Sequence, residues 1–171
     1  MSEYMWNVML VVGTWAGIFA ALYAVWMQNN NERLLTSVQL FLQLAQQFDS
    51  DEMERKRVAL AKALLKNPKD VEIDDTVLSF FENVAYLIRR GLLEDGMSWN
   101  FFSLDVIFLH HASTHYIQHM RQKFNAQDLF QEFETLALRW QGKPYKNITV
   151  NESTTTEFLR WSSRMTPEES F

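Results

Sequence analysis

The chain begins with a long segment of uncharged, mostly apolar residues. No charged side chain occurs from Met5 to Met27. A helix of that length extends roughly 34 Å, enough for a hydrocarbon core of about 30 Å. Trp6 and Trp26 stand near its two ends, where aromatic rings prefer the headgroup region of a bilayer. The pattern predicts a transmembrane anchor at residues 1–28.

The flanking residues favour a retained anchor over a cleavable signal peptide. Glu3, rather than a basic residue, precedes the segment, and bulky Tyr23 and Trp26 occupy its end. A buried core helix is the other alternative, although the segment shows no polar face. Arg33 follows the segment and no Lys or Arg precedes it. The positive-inside bias then predicts a single-pass protein of the cell inner membrane, with its N-terminus outside and its C-terminal domain cytoplasmic.

Small residues recur at helical spacing along one face of this segment. In lipid, such residues let two helix backbones approach closely, and packing drives association there. The face therefore predicts self-association, while the ordinary composition of membrane helices is the alternative explanation. Its members are Gly13, Gly17, Ala20, Ala21 and Ala24.

A seam of apolar residues within residues 34–48 follows the polar stretch at residues 28–31. Its positions advance in steps of four, three, four and three, as in a coiled coil. Two heptads are short for an isolated coiled coil, so packing of this helix onto its own domain is favoured over pairing between chains. The seam consists of Leu34, Val38, Phe41, Ala45 and Phe48.

The rest of the chain alternates apolar positions at helical spacing with helix breakers. Helices are predicted from about Asp51 to Asn67, from Asp74 or Asp75 to Gly91, from roughly Ser98 to Lys123, and from Asn125 to Gly142. No stretch before Gly142 shows the two-residue period of a strand.

These elements define an all-α protein. We expect one N-terminal transmembrane helix, then a compact bundle of about four to five helices, then an extended C-terminal tail. The domains are the anchor at 1–28, a cytoplasmic helical domain at 29–142, and the tail at 143–171. Thr154 and Glu157 have the spacing of a helix cap, so the tail is expected to contain one short helix.

Composition removes several classes of function. The net charge is −5 and no basic stripe is present, so we expect no nucleic-acid partner. The chain has no cysteine, which excludes disulfides, thiolate catalysis and Cys-ligated zinc. Neither a nucleophile-elbow motif nor a phosphate-binding glycine loop occurs. Nothing in the sequence indicates an enzyme, and no catalytic residue is assigned.

Two stretches resemble a known family. Residues 48–59 (FDSDEMERKRVA) and 77–93 (VLSFFENVAYLIRRGLL) are similar to a family of small prokaryotic proteins known as a domain of unknown function. The likeness extends over about Leu34 to Trp140. It implies a bacterial or phage-related source, an N-terminal membrane span and a helical fold. The family has no established activity to transfer.

The histidines are the main candidates for chemistry. His111, His115 and His119 recur every four residues on the long helix, whereas His110 points elsewhere. Two imidazoles one turn apart could share a divalent metal with a carboxylate from another helix, such as Glu82. The outer two lie about 12 Å apart along the axis, too far for one ion. Hydrogen-bonded histidines without metal, and a pH-responsive patch, are the alternatives.

Two carboxylates fall on apolar helix faces. Asp105 is expected to form a structural ion pair with Arg57, Arg89 or Arg90, and Glu82 is also interpreted as structural.

The leading hypothesis is a membrane-anchored, non-catalytic interaction module, which contacts lipid and forms a homo-oligomer or holds a protein partner. One alternative is a metal-binding, conceivably hydrolytic, helical domain. The other is an accessory or effector of a phage-defence or stress system. No cofactor is expected apart from the divalent metal of the first alternative.

Overall fold

Every regular element in the described part of the chain is a helix. The computed structural model describes residues 3–66, 73–142 and 149–164. This confirms the all-α prediction for those residues. The helices are α1 (Glu3–Phe48), α2 (Asp51–Lys66), α3 (Thr76–Arg89), α4 (Asp95–Phe124), α5 (Gln131–Gln141) and α6 (Glu152–Ser162).

The predicted membrane span is wrong. Over the described ranges, no helix combines the length and the apolarity needed to cross a bilayer. The absence of charged residues does not make a segment apolar throughout, and this one includes Asn7, Thr14 and Tyr23. The expected single-pass topology, the inner-membrane location and the outside N-terminus are wrong with it.

Residues 1–39 and residues 40–171 form two separate units. The first unit contains α1 up to Gln39 and no other described helix. The second unit contains the last nine residues of α1 and helices α2 to α6. Every large apolar side chain that is buried in the described chain lies in this second unit.

Phenylalanines form the centre of that core. Phe48, Phe80, Phe81 and Phe102 are all at most 5% exposed, and their ring centroids lie 5.3 to 6.0 Å apart. Full burial of each ring contributes about 1.5–3 kcal/mol to folding. These rings join the end of α1 to α3 and α4, so the C-terminal turns of α1 are anchored in the bundle.

The link from α4 to α5 differs from the expected one. The sequence suggested that Asn125 begins a helix, but it ends α4 in the left-handed conformation, with φ 50°. Asn adopts this region more readily than most residues because its short amide side chain can hydrogen-bond locally. Phe130 is also left-handed, with φ 57°, and α5 begins after it.

Part of the predicted tail is helical and packs on the bundle. Helix α6 lies against α2 and α4. Asn151 caps it, accepting a hydrogen bond from the Thr154 backbone N–H at 2.9 Å, while the Thr154 hydroxyl accepts one from Asn151 N at 3.1 Å. The Phe158 ring stacks on Phe108 with centroids 4.9 Å apart. The expected short helix is therefore present, with Asn151 rather than Thr154 as its N-cap.

Candidate functional site

Helix α4 presents its four histidines to different surroundings. His110 is half-buried, and its ring meets Phe133 edge to face at a centroid distance of 5.6 Å. Burial lowers the pKa of His110, because desolvation disfavours the imidazolium. His111, His115 and His119 are exposed. His110 is thus a packing residue, and the other three present ring atoms to solvent.

A cavity of about 610 Å³ opens between α2, α4 and α6. This volume lies within the usual range of small-ligand sites. His111 and His115 line one wall, whereas His119 is not among the lining residues. The remaining lining residues are Leu64, Ala112, Thr114, Glu152, Thr155, Thr156 and Leu159.

A buried hydroxyl holds the first of these histidines. His111 Nδ1 lies 3.0 Å from Thr155 Oγ1, and Thr155 is 5% exposed. The hydrogen bond to Nδ1 fixes the plane of the imidazole, and the other ring nitrogen, Nε2, takes no part in this bond. Because α6 supplies Thr155, the docking of α6 on the bundle is what orients the ring.

The metal hypothesis stays a prediction. Within residues 3–66, 73–142 and 149–164, no three or more His, Asp or Glu side chains are grouped so that they could hold one metal ion. The structure brings His111 and His115 to one cavity and leaves His119 outside it. Glu82, suggested as a further ligand, is engaged elsewhere.

Glu82 acts as a cap supplied by a neighbouring helix. Its carboxylate accepts hydrogen bonds from the backbone N–H groups of Phe133, at 2.7 Å, and Glu132, at 3.2 Å. These donors belong to the first turn of α5, which has no side-chain cap of its own. Desolvation raises the pKa of Glu82, although the two N–H groups oppose the rise. The structural interpretation of this residue fits the geometry, but no pattern in the sequence indicates which backbone groups it contacts.

Asp105 occupies the most perturbed environment in the described chain. Burial raises the pKa of its carboxyl to about 6, against the opposing effect of Arg57. The Arg57 guanidinium lies over the Phe48 ring at 4.0 Å, and its buried Nε has no hydrogen-bond partner in the described structure. The other two expected partners are engaged elsewhere: Arg89 pairs with Glu132, and Arg90 donates to the Tyr86 hydroxyl.

The predicted seam within residues 34–48 divides into a packed part and an exposed part. Phe41 contacts the rings of Phe101 and Phe102, and Phe48 is buried among the core phenylalanines. Leu34 is 57% exposed. Val38 and Ala45 are half-buried.

The predicted small-residue face is described at only two of its five positions, Ala21 and Ala24, and both are exposed. Gly13, Gly17 and Ala20 lie outside the residues whose side chains the structure describes. Large apolar side chains of the same stretch are also exposed, among them Leu22 at 60% and Trp26 at 60%.

A heptad pattern in α1 was overlooked in the sequence. Apolar residues advance in steps of three and four over three heptads, and by helical geometry they share one stripe. Ala24 lies about 160° around the helix from both Leu22 and Trp26, on the small-residue face. The pattern could have been found by testing the run for a seven-residue period. This α1 seam consists of Met5, Val8, Val12, Trp15, Phe19, Leu22 and Trp26.

Comparison with known proteins gives one match. No curated protein and no solved structure matches the chain. The resemblance to a family of unknown function is confirmed by a family model that covers residues 11–140, from α1 to the last turn of α5. The protein therefore belongs to the family described as Domain of unknown function (DUF4760).

Proposed function

We propose that this protein is a non-catalytic interaction module that self-associates by pairing the α1 helices of two copies along the α1 seam. The observation that carries the proposal is the exposure of large apolar side chains on α1, among them Leu22 and Trp26 of the α1 seam. A helix with a stripe of large apolar side chains ordinarily packs that stripe against another element. Exposed apolar patches of this kind mark association surfaces.

The first unit cannot bury this surface by itself. It contains one described helix, so it has no second element against which α1 could pack. An isolated helix in water is marginal unless tertiary or intermolecular packing covers its apolar face. The covering surface must therefore come from beyond this unit.

The chain itself supplies a surface of matching chemistry. No charged residue occurs between Glu3 and Glu32, so a partner must be apolar and uncharged over about 40 Å of helix. A second α1 has that length and that polarity. Among the described side chains of the α1 seam, Leu22 and Trp26 are each 60% exposed and offer roughly 100 Å² apiece to a partner.

The large side chains, rather than the small-residue face, form the interface in this proposal. Small residues favour helix pairing in lipid, where burial of apolar area gives no advantage. In water, the free energy of association follows the apolar area removed from solvent. The seam with Leu22 and Trp26 buries far more of that area than the face with Ala24.

Two charge substitutions on opposite faces of α1 test the proposal. Leu22→Glu places a carboxylate in the seam, and Ala24→Glu places the same charge about 160° away. Sedimentation velocity of the full-length chain should show at least a tenfold weaker association for Leu22→Glu, because burying an unpaired charge costs several kcal/mol. Ala24→Glu should remain within about twofold of the wild type.

The same experiment can contradict the proposal in two ways. A wild type that sediments as a 20.2 kDa monomer at every concentration would refute self-association and leave α1 to a different partner. Loss of association in Ala24→Glu with retention in Leu22→Glu would refute the seam. Both substituted side chains are exposed, so urea unfolding of the variants should match the wild type and exclude misfolding.

A further inference from the structure

The cavity between α2, α4 and α6 is independent of the α1 seam and has its own chemistry. His111 and His115, which lie on α4, and Glu152, which lies on α6, are among its lining residues. Residues four apart on a helix have Cβ atoms roughly 6 Å apart, so two imidazoles at this spacing can converge on one ion.

The hydrogen bond to Thr155 has the geometry of an outer-shell contact in a metal site. A metal-binding histidine almost always donates its second ring N–H to a carboxylate, a backbone carbonyl or a water, which fixes the ring, and a threonine hydroxyl can accept the same hydrogen bond. Here Thr155 Oγ1 holds Nδ1 of His111 at 3.0 Å. If Nδ1 carries the proton and donates to the hydroxyl, the lone pair of Nε2 is free to bind a cation.

A neutral imidazole ligand binds some metal cations more tightly than others. It suits Zn²⁺, Ni²⁺ and Cu²⁺, whereas Mg²⁺ and Ca²⁺ prefer oxygen ligands. Two protein ligands leave coordination positions open, and the cavity beside them has room for water or a small anionic molecule. Glu152 also lines the cavity, and a negatively charged side chain there favours a cation.

We infer that His111 and His115 form a two-histidine site for a divalent late-transition-metal ion such as Zn²⁺ or Ni²⁺, with its open positions facing the cavity. Thr155 is a positioning residue that orients the His111 ring. His119 takes no part, although it has the same spacing from His115 as His111 has.

Titration of the full-length chain, purified without a polyhistidine tag, with Zn²⁺ or Ni²⁺ in a calorimeter tests the site. One ion should bind per chain. His111→Ala and His115→Ala should each weaken binding at least tenfold, because a single imidazole cannot chelate. The matched control His119→Ala removes an exposed histidine of the same helix and should leave the dissociation constant within about twofold.

The positioning role has a separate readout. Thr155→Val should weaken metal binding several-fold, and Thr155→Ser, which retains the hydroxyl, should restore it. Absence of binding by the wild type would overturn the inference, as would equal losses in the His119→Ala and His111→Ala variants. Leu22→Glu should bind metal like the wild type, so the outcome does not depend on self-association.

Discussion

Replacing Asp105 by Asn removes a carboxyl group whose ionised form is unfavourable in the folded protein. Burial raises the pKa of Asp105 from 3.8 to about 6, although Arg57 lowers it; a neighbouring carboxylate, Asp49, adds to the rise. The folded chain therefore binds a proton more tightly than the unfolded chain does. For a group with a raised acid pKa, stability is present at low pH and is lost as the pH rises.

The size of the effect follows from the two pKa values. A shift of about two units corresponds to about 3 kcal/mol of destabilisation once the pH exceeds 6. The loss develops between pH 3.8 and about 6. Between about pH 4.5 and pH 7, this one group should remove about 2 kcal/mol from the free energy of unfolding. Asn keeps the shape of the side chain and does not titrate.

Urea unfolding of the wild type and of Asp105→Asn at these two pH values measures the effect. Subtracting the free energy of unfolding of one protein from that of the other cancels the contribution of the other titrating groups. The variant should gain about 2 kcal/mol relative to the wild type as the pH rises from about 4.5 to 7. Asp128→Asn, which removes an exposed carboxylate, is the control and should show little change.

A difference that is constant with pH would show that Asp105 is not perturbed. A wild type that gains stability relative to the variant as the pH rises would show a stabilising ion pair with Arg57 instead.

Three further substitutions test packing and capping, each by urea unfolding at neutral pH. Glu82→Ala leaves two backbone N–H groups of α5 without their acceptor and should cost about 2–3 kcal/mol. Phe158→Ala removes the ring that stacks on Phe108 and should cost about 3–4 kcal/mol; an effect below 1 kcal/mol would mean that α6 does not hold to the bundle. Asn151→Ala should cost about 1 kcal/mol through loss of the α6 cap, and Asn151→Ser should recover most of it.

Local signals in the sequence were sufficient for most helices of the second unit. Helix α3 begins at Thr76, directly after the predicted Asp74 or Asp75, and the Asp74 carboxylate accepts a hydrogen bond from Thr76 N at 3.0 Å. It ends at Arg89, two residues before Gly91 with its positive φ. These boundaries depend on capping and on backbone freedom, which are properties of a few adjacent residues.

Contacts between helices could not be predicted from such local sequence signals. The acceptor for the first turn of α5 is Glu82, which is 51 residues distant from Phe133 in the chain. The hydroxyl that orients His111 comes from Thr155 on α6, 44 residues away. No short pattern encodes such pairs, because they depend on how the helices pack.

The membrane prediction was wrong for a different reason. That prediction depends on the missing charges and the small residues of α1, whereas its large apolar side chains also recur at a regular spacing. An uncharged helix with Trp15, Leu22 and Trp26 at heptad spacing can be covered by another helix as well as by lipid.

The molar mass of the full-length wild type in solution, measured by light scattering over a range of concentrations, tests the α1 pairing most directly. We expect the mass to rise with concentration to about 40 kDa, twice the 20.2 kDa of one chain. A mass that stays at 20.2 kDa at the highest concentration would contradict the account.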